Sequence, residues 1–153
     1  MSESTITGGC LCGRVRYEVK ESDCVGVAAC HCHKCQQHTG APFAATVRFK
    51  NEDIKWTGNP PDVYQSSAIM QRGFCKNCGS SLYIYYPKPV WEGFPVAVGL
   101  LIGSFDDPHH WPPPATHYAE ENQLAWTKFD DGIPRERMDT DEELKAAYAK
   151  AAS

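Results

Sequence analysis

A chain of 153 residues is long enough for one domain that buries roughly 70% of its unfolded surface. Its 42% hydrophobic content excludes general disorder, and no apolar run approaches the ~20 residues of a membrane-spanning helix. The formal charge of −4 argues against a nucleic-acid partner, which wants a basic face. Charging the clustered thiols makes the chain more acidic still, even with divalent ions bound. Met1-Ser2-Glu3-Ser4-Thr5 lacks the basic and apolar regions of a secretory signal. The expectation is a cytoplasmic chain with reduced thiols.

Gly8-Gly9-Cys10-Leu11-Cys12-Gly13 opens the domain, with glycines where the backbone must bend around a bound ion. In extended chain the period is two, so a C-x-C pair aims both sulfurs the same way. Residues 15–19 alternate and predict a strand. Cys24 stands apart and reads as a small buried hydrophobe. Cys30-His31-Cys32-His33-Lys34-Cys35 follows, a C-x-C-x-x-C array with two imidazoles inside it. Gly40 and Pro42 mark a turn. Strands are predicted over 43–49, 54–57, 63–67 and 69–74.

Phe74-Cys75-Lys76-Asn77-Cys78-Gly79 is a knuckle whose two thiols can grip one ion while Gly79 takes a positive φ. Residues 82–86 continue as a strand, and the apolar run 96–102 reads as a central strand. Pro112-Pro113-Pro114 forces an extended link, and 116–119 returns to the sheet. Thr140-Asp141-Glu142-Glu143 has capping-box spacing, with Leu144, Ala147 and Tyr148 on one face of a short helix. Residues 1–138 are expected to form the metal-stapled unit, and 139–153 a helix of the same domain.

Seven of the eight cysteines fall in three short clusters. Neighbouring C-x-C thiols make strained disulfides, and the cysteine content lies below the ~8–10% of a disulfide scaffold. The pattern therefore points to metal. Cys10, Cys12, Cys75 and Cys78 supply the four thiolates of a closed structural zinc site, tying distant strands together. That leaves Cys30, Cys32 and Cys35, three ligands with one position open, as at a catalytic zinc. Closure of this site by His31, His33 or His38, or one metal shared among the clusters, remains an alternative at this point. An open position suits binding of a substrate thiol as its thiolate, or hydrolysis by bound water.

With these motifs the chain resembles the glutathione-dependent formaldehyde-activating enzyme family. The resemblance extends through Arg72-Gly73-Phe74-Cys75, Gly103-Ser104-Phe105-Asp106-Asp107-Pro108, His117 and Asp131-Gly132-Ile133-Pro134, about residues 6 to 135. It implies an all-β, β-tent (Mss4-like) zinc-stapled domain with the same partition of two zincs per chain. It further implies carbon–sulfur lyase activity on a thiol/aldehyde adduct, S-hydroxymethylglutathione from glutathione and formaldehyde. Glutathione carries two carboxylates, so Arg14, Arg16, Lys34, Arg48 and Arg72 are candidate cations. Lys34 and Arg72 are favoured because they sit in or beside the clusters. His117 reads either as a near-site acid or base or as a hydrogen-bonded structural histidine. The rival reading is a non-catalytic binding module in which both zincs are staples. The sequence leaves a homo-oligomer open.

Overall fold

The protein, seen here as a computed structural model, is described over residues 3–152. In chain order the elements are β1 Thr5–Gly9, β2 Arg16–Lys20, β3 Gly26–Cys30, α1 His33–Thr39, β4 Ala44–Phe49, β5 Lys55–Trp56 and β6 Asp62–Ser67. Then follow β7 Met70–Phe74, β8 Ser81–Tyr85, β9 Val98–Leu101, β10 His117–Tyr118, β11 Arg135–Glu136 and α2 Glu142–Ala152. The fold is mainly β. A small sheet runs β1-β2-β5, and a larger one runs β11-β10-β3-β4-β9-β8-β7-β6. Pairing is antiparallel from β3 to β6, whereas β10 lies parallel to both β3 and β11.

Two apolar clusters are built on these sheets. The first gathers Tyr17, Phe49, Leu82, Leu100 and Trp111. Its rings meet edge to face, as Tyr17 does with Phe105 (centroids 5.5 Å apart) and Phe49 with Trp111 (5.7 Å). The second gathers Cys32, Cys35, Ala44, Leu101 and Ala119. Strand β9 is buried at every position, as its apolar run predicts for a central strand. Its alternation sends Leu100 to the first cluster and Leu101 to the second. The residue expected to be a lone buried hydrophobe, Cys24, is half-buried against the first cluster.

The strand expectations hold to within a residue or two, but four elements go beyond them, the two-residue β11 among them. Strand β1 carries Gly8 opposite Tyr17, where a Cβ would lie 2.4 Å from the ring. The glycine is a slot for the tyrosine, and it hides the strand from any reading of β propensity. Strand β3 is Gly-Val-Ala-Ala-Cys, small residues that fit the sheet by alternate burial alone. Helix α1 buries only Cys35, so it has no apolar stripe to betray it.

The cap of α2 also differs from the expected capping box by one residue. Asp141, not Thr140, accepts the Leu144 amide on its side chain at 2.9 Å and the Lys145 amide on its carbonyl at 3.0 Å. The Tyr118 hydroxyl donates to the same carboxylate, which pins the cap to β10 and so selects it over its neighbour. Leu144 and Ala147 are the buried face of this helix, and Tyr148 is half-buried. Asp141→Ala is expected to cost about 1 kcal/mol, whereas Thr140→Ala should stay within about 0.5 kcal/mol, read from urea midpoints.

Candidate metal centres

The first centre joins two turns. Cys10 follows β1 and opens a tight loop, its amide donating to the Val15 carbonyl at 3.0 Å and its carbonyl accepting from the Gly13 amide at 3.1 Å. Cys75 and Cys78 lie between β7 and β8, where the Gly79 amide closes on the Cys75 carbonyl at 2.7 Å. Gly79 has φ +78°, the left-handed conformation expected of the knuckle. The Ser80 hydroxyl accepts from the Leu11 amide at 2.9 Å and so clips one turn to the other.

The four sulfurs of Cys10, Cys12, Cys75 and Cys78 lie within 4.8 Å of one another. Cys10 and Cys12 are 3.5 Å apart, and Cys12 and Cys75 3.8 Å. A disulfide needs about 2.05 Å, whereas a tetrahedral zinc with ligands at about 2.3 Å has sulfur–sulfur edges of about 3.8 Å. The spacing therefore fits four thiolates around one ion. The donors around the sulfurs fit as well. The Val15 amide reaches Cys10 at 3.3 Å, the Asn77 side-chain amide reaches Cys12 at 3.3 Å, and the Ser80 hydroxyl lies 3.2 Å from Cys78. The Ser80 hydroxyl and amide pull Cys78 down to about 5, well below an ordinary thiol.

The second centre sits where β3 runs into α1. Cys30 ends the strand, Cys32 is the N-cap of α1, and Cys35 lies in the first turn. Their three sulfurs also lie within 4.8 Å of one another. Among the described residues no histidine nitrogen or carboxylate joins either group. Hydrogen bonds from Cys30 and Cys35 hold the Cys32 thiol far below its ordinary value, and the contact with Cys32 pushes Cys30 up. The donor set is soft, closely spaced and half to fully buried, and it suits a thiophilic divalent ion.

The histidines go elsewhere. His31 is fully buried, and its Nε2 lies 2.8 Å from His117 Nδ1. His117 Nε2 in turn lies 3.0 Å from Asp131 Oδ2. Asp131 Oδ1 accepts from the Ile133 amide at 3.0 Å and from Arg135 at 2.9 Å. Burial raises Asp131, but these donors outweigh it and hold the carboxyl at about 2. A carboxylate can only accept, so His117 carries its proton on Nε2. Phe43 and Phe129 pack on the histidine pair, with His117 and Phe129 stacked at 5.0 Å. His33 is exposed and pairs with Gln36. His38 is half-buried, its Nε2 has no partner, and burial with the nearby Arg72 cation lowers it to about 4.

The period-two rule applied above to Cys10 and Cys12 would have placed His31 correctly. Cys30 and Cys32 share one side of an extended segment, so the residue between them faces the other. The three other candidate residues separate. Lys34 is exposed, with its Nζ 5.4 Å from the Tyr148 ring centroid. His117 is buried in the chain just described. Arg72 is 4% exposed and faces Cys35. A cavity of about 770 Å³ borders Cys10, Ser80 and Phe43, and none of Cys30, Cys32 and Cys35 lines it.

A family model described as glutathione-dependent formaldehyde-activating enzyme matches residues 5–121. The chain belongs to this family. The match takes in all seven clustered cysteines and stops before β11 and α2. A protein of Halomonas elongata named "Putative glutathione-dependent formaldehyde-activating enzyme" is 24% identical over 132 residues, covering 82% of this chain and 81% of its own length. A Schizosaccharomyces pombe protein named as an uncharacterized lyase is 32% identical over 81 residues, or 52% of this chain. The chain spans 56% of that relative's length. A crystal structure of a Rhodobacter sphaeroides protein superposes with TM-score 0.51 at 19% identity, over 68% of this chain and 93% of the other. That likeness is one of fold.

His117→Ala removes the link between His31 and Asp131 and leaves a buried ring without its partner. The expected loss is about 1–3 kcal/mol in urea denaturation of the metal-loaded protein, against about 0.5 kcal/mol or less for His33→Ala on the surface.

Proposed function

We propose that this protein is a zinc-dependent carbon–sulfur lyase acting on a thiol/aldehyde adduct, with glutathione and formaldehyde as the pair that the family name suggests. One observation carries the reading: three sulfurs converge at Cys30, Cys32 and Cys35, and no histidine or carboxylate joins them among the described residues. Cys10, Cys12, Cys75 and Cys78 hold a structural zinc in this reading, and Cys30, Cys32 and Cys35 a catalytic one. When bound there, zinc supplies Lewis-acid stabilisation that keeps a fourth sulfur deprotonated at neutral pH.

In the synthetic direction, a lone pair on the substrate sulfur forms the carbon–sulfur bond, the carbonyl π pair moves to oxygen, and oxygen takes up a proton. In the reverse direction the hydroxyl loses that proton and the carbon–sulfur pair returns to sulfur. The protein's part is to keep its three sulfurs convergent. The β3 end, the α1 cap and the buried His31–His117–Asp131 chain do this. Lys34, exposed and two residues from Cys32, is suited to a substrate carboxylate. Arg72 and His117 are buried against protein partners, which suits them less to direct contact with a tripeptide.

The remaining parts of this reading follow the family. The mainly-β architecture is taken as a β-tent of the Mss4-like kind, with residues 1–138 and the helical segment 139–153 forming one domain. The enzyme is taken as cytoplasmic in this reading. No helix among the described residues is long and apolar enough to cross a membrane.

The activity is tested by exchange NMR on glutathione and formaldehyde with zinc-loaded protein. Interconversion of free glutathione and its S-hydroxymethyl adduct should exceed the uncatalysed rate, and no acceleration would sink this substrate pair. The metal assignment has its own test by elemental analysis. Two zincs per chain are expected, falling to one in Cys35→Ser with the fold intact by circular dichroism. Cys75→Ser should unfold the domain, because it opens the staple between the two turns. Equal collapse of both variants would favour the binding-module reading, with both metals as staples.

A further inference from the structure

Arg72 projects from β7 into the second apolar cluster's neighbourhood and is only 4% exposed. Its Nε donates to the Ser66 hydroxyl at 3.2 Å, and Nη2 lies 3.4 Å from the Met70 sulfur. Both Nη1 and Nη2 reach the Cys35 sulfur, each at 3.8 Å. No carboxylate contacts this guanidinium among the described residues. A guanidinium cannot shed its proton, and an unpaired buried charge is strongly disfavoured. Among the described residues, the one group in contact that can carry a compensating negative charge is the Cys35 sulfur. It sits equidistant from the two ends of the fork, the placement a single-atom anion takes against a planar pair of donors.

The other centre makes the contrast. There the sulfurs accept from the Val15 amide, the Asn77 amide and the Ser80 hydroxyl, all neutral. Cys12 is exposed, so water shares that centre's charge. Cys32 and Cys35 are buried, and water cannot do the same for them. Three thiolates around a divalent ion leave one surplus negative charge, and Arg72 carries the one positive charge that matches it.

We propose that Arg72 is the resident counterion of the three-thiol centre: it balances the Cys35 thiolate and so sets how tightly this centre, and not the four-thiol one, keeps a divalent metal. It is a positioning residue that acts through Cys35, not a clamp for a substrate carboxylate. The inference rests on the metal-centre reading above but not on the lyase reaction, because its test reads metal retention and stability.

Zinc-loaded wild type, Arg72→Met and Arg72→Lys are titrated with a chromophoric chelator, and the two metals are followed separately. Arg72→Met should weaken the second metal by about 10- to 100-fold and leave the first unchanged. Arg72→Lys, which keeps the charge but loses the fork, should recover most of that loss. Wild-type retention of the second metal in Arg72→Met would overturn the proposal. Equal loss of both metals would overturn it in favour of a general packing role. Should Arg72→Met fail to fold, the double variant Arg72→Met/Cys35→Ser decides. With the thiolate gone the cation is itself unpaired, so the double variant should be more stable to urea than Cys35→Ser alone. A double variant no more stable than Cys35→Ser would also overturn it.

Discussion

Two separate groups of sulfurs, each packed within 4.8 Å of one another, set the constraint that the rest of the fold must meet. As thiols they are mediocre hydrogen-bond partners, and as bare thiolates they repel. A soft cation held at the centre of each group would turn both problems into binding energy. Cys12 and Cys75 lie 63 residues apart in sequence, and their approach fixes the β1–β2 turn against the β7–β8 turn. Apolar contacts also join the small sheet to the large one, as where Trp56 of β5 packs on Tyr83 of β8 with centroids 6.2 Å apart. The thiol staple and the aromatic cluster therefore do complementary work. One sets register between the sheets, and the other removes apolar surface from water.

The two centres differ in sulfur number, in the charge beside them and in contact with water. The first offers four sulfurs, neutral hydrogen-bond donors and partial contact with water. The second offers three sulfurs, a buried cation and an enclosing shell of protein. Two buried systems flank that second centre from opposite sides of the Cys30–Cys32 segment. Arg72 comes from β7 toward the sulfurs, and the His31–His117–Asp131 chain pulls the backbone toward β10 and β11. His31, turned to His117, does not join the three sulfurs.

Much of this was legible in the cysteine spacing. C-x-C and C-x-x-C are short enough that local backbone geometry dictates where the sulfurs point, and the partition into four and three follows from counting. Strands with β-branched or aromatic residues were legible for the same local reason. What escaped depends on long-range partners. The β1 strand is specified by Tyr17 filling the space above Gly8, and β3 by small residues that only a neighbouring strand makes sense of. Helix α1 is held by its cap, by Gly40 at its end and by the burial of a single thiol. Asp131-Gly132-Ile133-Pro134 was visible as a stretch of the resemblance, but the partner of Asp131 was not, since a short parallel pairing of β10 with β11 is what brings it to His117.

The arginine is the clearest case of the same limit. In sequence, Arg72 beside Cys75 looks like a cation waiting for a substrate carboxylate. Charge alone cannot distinguish that role from internal compensation, because both use the same fork of donors. Burial does distinguish them. A guanidinium meant for an incoming carboxylate must stay solvated or paired until the ligand arrives, whereas this one is enclosed with no carboxylate of the described residues in contact. Its partner must therefore already be present in the folded chain. The two N–H groups that converge on Cys35 name that partner, and they make the thiol centre and the β7 cation a single electrostatic unit.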